Sequence, residues 1–321
     1  MKIFITGGTG FLGKTMIKKL LADGHTVTCL LLPDDEASSV AGAGICRGDI
    51  TQPDTLLHKT IGHDAVVHLA GAVGYGQTWA NCIRLNRDGA SNIAEEAVRS
   101  GVKRFIHMSS VSVYGRVSGT PIPENFPLKK INDPYGDTKI DAERAVTSHA
   151  GNGAFDLTII RPTMIYGPGD TLFLPKVVEN IKSGKARIIG KGGHRVDCIH
   201  VADVADFVLA VLRSKAAAGK AYNLTHPDNP TWKEMIAEIA LRLNLPVPDG
   251  RIPYGVAYFL AGCMEAVSFF SKKPPRLTRY AVRNVGRPYY YLTDRMEQDL
   301  AFSPSVSLKQ GIYEYITRIS K

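Results

Sequence analysis

The sequence predicts an α/β protein built on a doubly wound parallel sheet, followed by a smaller mixed α/β C-terminal lobe. Three observations carry that prediction. The chain opens with a strand, a glycine-rich turn and a helix in immediate succession, from Lys2 to Leu21. Strands and helical patterns then alternate over about 160 residues, as crossover-connected parallel strands require. Beyond Gly169 the alternation gives way to short strands mixed with longer helices.

The first strand, Lys2 to Thr6, runs into Gly7-Gly8-Thr9-Gly10-Phe11-Leu12-Gly13 and a helical pattern through Leu21. Glycines there permit a tight turn and the close approach of a pyrophosphate, which then sits at the helix N-terminus. A second strand follows at Thr26 to Leu32. Its end should read the adenosine ribose, yet it offers neither an acid at the last position nor an arginine for a 2′-phosphate. The acids just beyond it, Asp34, Asp35 and Glu36, disfavour a phosphate, although Lys14 partly offsets them. The expected cofactor is NAD or NADP, with a lean to NAD.

Gly44 to Arg47 and Asp64 to Leu69 supply the third and fourth strands, ending in Gly48-Asp49-Ile50 and His68-Leu69-Ala70-Gly71. Small residues at a parallel strand's end let a ligand reach the backbone. His68 has no nucleophile or metal set around it and reads as a packed strand-end histidine. Thr78 to Ser100 reads as one long helix holding Asn86, and Lys103 to Met108 is a strand delivering Ser109 and Ser110. Asp133-Pro134 opens a helix carrying Tyr135 and Lys139. Four residues apart, that tyrosine and lysine share a face. An ammonium near a phenol favours the phenolate, and a serine hydroxyl beside it can hold a carbonyl or alcohol oxygen. Alone, a Tyr-x-x-x-Lys pair is a frequent accident of solvated helices. Here the glycine turn and Ser110 are expected at the same carboxyl edge of the sheet. Asp156 to Ile160 adds a sixth strand, ending in Arg161-Pro162.

These elements place a dinucleotide-binding domain at 1–170 and a substrate lobe at 171–321, the latter interleaved with the end of the main sheet. In that lobe helices are expected at Leu172 to Ser183, Val201 to Arg213, Trp232 to Leu243 and Leu308 to Ile319. Short strands are expected at Ala186 to Ile189, Val196 to Ile199 and Tyr222 to Leu224. Residues 253–271 are almost wholly apolar apart from Glu265. Such a helix packs in the core, covers an apolar pocket or makes peripheral contact with a membrane.

At 321 residues with 44% hydrophobic and 21% charged residues, the chain has the composition of a soluble globular protein. The net charge of +9 is concentrated between Lys272 and Arg295, where seven basic residues meet one acid. That run reads as a solvated or self-paired face, and nucleic acid is not expected as a partner. Five scattered cysteines without a C-x-x-C pair fit a reducing, cytoplasmic setting, with neither a disulfide framework nor a metal site. No signal peptide or membrane span is expected.

Taken together, these motifs resemble the extended short-chain dehydrogenase/reductase family, with its Rossmann sheet, over essentially the whole chain. The matching residues are Thr6 to Gly13, Gly48-Asp49-Ile50, His68 to Gly71, Asn86, Ser110, Tyr135-x-x-x-Lys139 and Arg161-Pro162. The resemblance implies that Tyr135 is the acid/base, that Lys139 lowers its pKa and holds the nicotinamide ribose, and that Ser110 orients the substrate oxygen. It further implies cofactor contacts from Gly7, Gly10, Phe11, Leu12, Gly13, Asp49, Ile50, Leu69, Ala70, Asn86 and Pro162, and a homodimer.

Within the family, nucleotide-sugar epimerases and dehydratases carry an arginine where this chain has Val196, next to Asp197. A valine cannot pair with a diphosphate. The C-terminal part is more similar to the 3β-hydroxysteroid dehydrogenase and β-ketoacid reductase branch, on Arg251-Ile252-Pro253-Tyr254 and Pro274-Pro275-Arg276-Leu277-Thr278-Arg279. The expected activity is therefore interconversion of a secondary alcohol and a ketone on a hydrophobic, sterol-like or β-keto/β-hydroxy small molecule. A nucleotide-sugar epimerase or dehydratase and a non-catalytic dinucleotide sensor are the alternatives.

Overall fold

The computed structural model describes residues 1–74, 76–228, 230–271 and 277–320. Lys272, Lys273 and Arg276 of the basic run, and Pro274 and Pro275, lie outside the described residues. Seven parallel strands form the main sheet. They are β1 (Lys2–Thr6), β2 (Thr26–Leu31), β3 (Gly44–Arg47), β4 (Ala65–His68), β5 (Arg104–Met108), β7 (Asp156–Pro162) and β11 (Lys220–Leu224). Between β5 and β7 the chain makes a two-residue strand, β6 (Pro121–Ile122). The order across the sheet is β11-β7-β5-β4-β1-β2-β3. It reverses direction between β1 and β4, and there the crevice at the carboxyl ends opens.

Both faces of the sheet are covered, which is why strands such as β4, with all four residues buried, show no polar alternation. On one face Ile3 and Ile5 of β1 pack with helix α1 (Phe11–Ala22) and helix α6 (Val201–Arg213). On the other, Phe4, Val66 and Phe105 meet helix α3 (Gly89–Arg99) and helix α4 (Pro134–His149). The long helix expected over 78–100 is a composite. A short α2 (Trp79–Cys82) passes through a π-helical stretch, Ile83–Asp88, before α3 begins. Such widened turns occur mostly at functional sites, and this one seats Asn86.

The remaining chain builds a second core between α5 (Leu174–Lys182), α7 (Trp232–Arg242) and α11 (Leu308–Ile319), around Val178, Met235, Ile239 and Ile312. Strand β8 (Met164–Tyr166) pairs with β10 (Cys198–His200), and β9 (Ile188–Ile189) with β12 (Arg251–Ile252). The strand expected from Val196 thus begins two residues later. Helices α8 (Tyr254–Ser271) and α9 (Arg279–Gly286) pack on each other through Ala257, Ala261 and Val282. Strand β13 (Tyr290–Tyr291) pairs with β6, and α10 (Asp294–Leu300) packs near β11. Neither α9 nor α10 was expected from the sequence.

Candidate active site

A cleft of about 930 Å³ runs along the carboxyl edge of the sheet between the two cores. All the residues expected in the site line it except Asn86. The glycine turn sits at one end. Gly7 adopts φ +73°, and a Cβ there would lie 2.7 Å from the Ala70 nitrogen, so β1 and β4 close together only with glycine at that position. At Gly13 a Cβ would collide with the Gly7 carbonyl. Gly10 is the N-cap of α1 and has no side chain to bond the helix's first N–H groups. An anion is the natural occupant of such an end. A glycine cradle and an uncapped helix start fit the pyrophosphate of a dinucleotide, with Asp49 and Ile50 on the wall where its adenosine would lie.

At the end of β2 the sequence offered no cation, but the fold brings one from β3. Arg47 donates to the Leu32 and Asp35 carbonyls at 2.6 and 2.7 Å. Nothing local in the sequence announces this contact, which depends on the β2–β3 register.

The chemical end of the cleft is assembled from β5 and α4. Ser110 ends the strand as the N-cap of a 3-10 turn, Val111–Tyr114, where its hydroxyl accepts from the Ser112 N–H at 3.2 Å. Asp133 caps α4 by accepting from Gly136 N–H at 3.0 Å, with Pro134 in the first turn, so Tyr135 emerges at the very start of the helix. The Ser110 hydroxyl and the Tyr135 phenol line the same end of the cleft, close enough for the serine to act on the phenol. Burial pushes the Tyr135 phenol up to about 12; Ser110 opposes this, while Tyr280, Asp133 and Cys82 add to it.

Lys139, expected to draw the phenol down, is not among the groups that shift it here. The Lys139 ammonium is buried below the tyrosine and donates to the Met108 carbonyl at 2.8 Å. Burial pulls its own pKa down to about 8, against the pull of Glu143. Burial is the largest cause of both shifts.

Asn86 sits behind the cleft wall. Its Oδ1 accepts from Ala72 N–H at 2.8 Å and its Nδ2 donates to Thr138 Oγ1 at 3.1 Å, which ties the loop after β4 to α4. His68 is buried, shares a 2.7 Å hydrogen bond with Thr6 Oγ1 and is held down to about 3 by burial and then by Lys139. It is a neutral packing group, as its sequence context suggested.

The substrate side is mostly aromatic and aliphatic, with Trp232, Tyr280, Tyr289 and Tyr291 on its walls. Val196 is fully buried in the second core, and Arg195 turns away to donate to the Pro227 carbonyl at 2.6 Å. Two residues here went unremarked in the sequence. Arg116 follows Tyr114-Gly115 in the loop beyond Ser110, and Glu143 pairs with Arg161 of the Arg161-Pro162 motif. Neither Arg116 nor Glu143 belongs to a local motif, so only the tertiary fold exposes them.

The NAD dependent epimerase/dehydratase family model matches residues 3–225. The chain belongs to that family. It is an NAD(P)-dependent oxidoreductase of the extended short-chain dehydrogenase/reductase type. The chain is 29% identical over 322 residues to 2-alkyl-3-oxoalkanoate reductase of Stenotrophomonas maltophilia (strain K279a), covering 97% of each chain. It is 30% identical over 323 residues to the decarboxylating sterol-4-alpha-carboxylate 3-dehydrogenase of Homo sapiens, covering 96% of this chain and 85% of the human one. Among solved structures, UDP-glucuronic acid 4-epimerase from Bacillus cereus, in complex with NAD, aligns with a TM-score of 0.77 at 21% identity, over 100% of this chain and 99% of that one. That last likeness speaks for the fold alone.

Proposed function

We propose that this enzyme interconverts a secondary alcohol and a ketone on a hydrophobic small molecule. The observation that carries the reading is that Ser110, Tyr135 and Lys139 line one largely apolar cleft together with the glycine cradle. The nicotinamide, when bound, supplies or accepts the hydride. Ser110 holds the reacting oxygen, and Tyr135 takes the alcohol proton in oxidation or returns it in reduction. Lys139 anchors the cofactor ribose and adds positive charge beneath the phenol. The lobe beyond residue 170 selects the substrate. Full-length relatives named for a 3-oxoalkanoate and a sterol carboxylate support a hydrophobic substrate. NAD is the favoured nucleotide, because Asp35 lines the ribose end and Arg47 is engaged by backbone carbonyls.

Tyr135→Phe is the direct test. Turnover of alcohols should fall at least a hundredfold while nucleotide binding, measured by fluorescence titration, persists; undiminished turnover would sink the reading. A nucleotide-sugar epimerase is disfavoured by Val196 in the core and by Arg195 turned outward. Marked thermal stabilisation by a uridine-, guanosine- or thymidine-diphosphate sugar would reverse that ranking. An idle dinucleotide sensor would show no hydride transfer across a broad alcohol and ketone panel.

No helix among the described residues is long and apolar enough to cross a membrane. We propose instead a peripheral contact through α8. Val256, Phe259, Leu260, Cys263, Met264 and Val267 recur at helical spacing on its outer face, all exposed, with Phe259 at 71% and Val267 at 64%. On the adjoining α9, Arg279 pairs with Glu265 and Arg283 donates to Tyr258, each at 2.7 Å, so the contact rests on the apolar stripe. A cytoplasmic location agrees with five free cysteines. The homodimer implied by the family resemblance would be read directly from light scattering.

A further inference from the structure

Of the described residues lining the cleft, two are basic. Lys139 donates to the Met108 carbonyl. The other, Arg116, has no hydrogen-bond acceptor among the described residues, although its side chain is only 21% exposed. Its guanidinium lies over the Tyr280 ring, 4.3 Å from the centroid. Its nearest carboxylate oxygen is Asp133 Oδ1, at 3.9 Å, beyond hydrogen-bonding reach. The other Asp133 oxygen caps α4 through Gly136. A half-buried guanidinium is normally engaged by carboxylates or carbonyls, because its five donors lose water on burial.

The position of Arg116 relative to the chemistry follows from shared neighbours. Tyr280 and Asp133 both act on the Tyr135 phenol, and both touch Arg116. Asp133, 3.9 Å from the guanidinium, is two residues before Tyr135, and Arg116, Ser110 and Tyr135 line the same cleft. Stacked on Tyr280, it presents its planar fork at the cleft wall, the arrangement that suits bidentate binding of a carboxylate. Tyr280, Tyr289 and Tyr291 share that side of the cleft with Asp133, Asp197, Glu265, Thr278 and Asn284. Among the described lining residues Arg116 is therefore the cation there that could meet an anion, Lys139 being engaged by Met108.

We propose that Arg116 is the substrate-anion site of this enzyme. The substrate is a 3-hydroxy or 3-oxo acid, whose carboxylate pairs with Arg116 while its 3-oxygen meets Ser110 and Tyr135. This rests on the alcohol–ketone reading above and adds a carboxylate, placed beside the reacting carbon, to its hydrophobic substrate. No new bond chemistry is involved. The carboxylate stays intact, and the hydride and proton move as already described.

The test compares 3-hydroxydecanoate with its methyl ester as substrates, and decanoate with decanamide as ligands of the NAD-loaded protein, in wild type, Arg116→Gln and Arg116→Lys. Wild type should favour the acid over the ester at least tenfold in kcat/KM, and decanoate should raise Tm more than decanamide. Arg116→Gln should erase both preferences chiefly through KM for the acid, with Arg116→Lys restoring part of them. The proposal is overturned if wild type shows neither preference, or if Arg116→Gln retains them. It is also overturned if Arg116→Gln lowers acid and ester turnover by the same factor, the signature of an arginine that only steadies Asp133 and Tyr280. The underlying reading fails separately, if oxidation of the ester survives Tyr135→Phe or if wild type oxidises neither compound.

Discussion

Arg161 grips Glu143 fork to fork, with Nε 2.9 Å from Oε1 and Nη2 2.7 Å from Oε2, and the two side chains are 7% and 4% exposed. Glu143 stands one turn beyond Lys139 on α4, and Arg161 is near the end of β7, so the pair fastens the Tyr135 helix to the sheet. Ser109 Oγ donates to the same Glu143 oxygen, which locks the residue beside Ser110 as well. Arg161 also donates to Tyr114 Oη and the Glu124 carbonyl. Removing one partner leaves the other buried and unpaired, so Glu143→Gln or Arg161→Met should cost about 3–5 kcal/mol. The double variant Arg161→Met/Glu143→Leu should recover much of that loss in a denaturant titration. Additive losses would mean that the pair is not one unit.

Lys139→Met should trade activity for stability. Burial pulls the Lys139 pKa from 10.5 to about 8, so the folded protein resists its charge. The cost is complete below about pH 8 and is relieved as pH rises towards 10.5, where the unfolded chain also loses the proton. Replacing the ammonium removes this cost but also the bond to Met108. A net gain of about 1–2 kcal/mol at pH 7 is expected, shrinking above pH 9, together with loss of turnover. Thermal melts of both proteins from pH 6 to 10 check the sign. A variant less stable at every pH would show that the Met108 bond and packing outweigh desolvation.

The parts of this site that were legible in the sequence are local ones. Gly7 to Gly13 and Tyr135 to Lys139 each complete their geometry within a turn or two of chain, so spacing alone places them. Ser110 was legible because a strand end precedes it. The bonds of Asn86 to Ala72 and Thr138 were not legible, because they depend on a π-helical turn that periodicity does not show. The burial that dominates both Lys139 and Tyr135 was not legible, because desolvation depends on how deeply each group is packed. Arg47, Arg116 and Glu143 act on partners brought in by strand register or loop packing. The α8 sequence is apolar on every side, which fits core and surface equally until Ala257 and Ala261 are seen to face α9.

If the outer face of α8 meets a membrane, its apolar stripe should control partitioning. Fully burying a side chain of this size contributes roughly 1.5–3 kcal/mol. Phe259→Glu with Val267→Glu should therefore lower binding to vesicles of phosphatidylglycerol and phosphatidylcholine by at least tenfold in a flotation assay, while nucleotide affinity stays unchanged. Equal flotation of both proteins would remove the membrane from the account of this face.

Asp197 gives the fold a pH dependence opposite in direction to that of Lys139. Its carboxyl lines the cleft, has no hydrogen-bond partner among the described residues, and is pushed up to about 7 by burial alone. Because the folded pKa lies above the unfolded value of 3.8, stability is greatest below pH 4 as far as this group is concerned. It declines as pH rises, and the loss is complete once pH passes about 7. Asp197→Asn keeps the shape and removes the ionisation. Allowing for water in the cleft, the variant should be more stable by about 1–2 kcal/mol at pH 8 and equal to wild type at pH 4. Calorimetric melts across that range provide the check. A difference between the proteins that is the same at both ends would mean that ionisation of Asp197 is not its source.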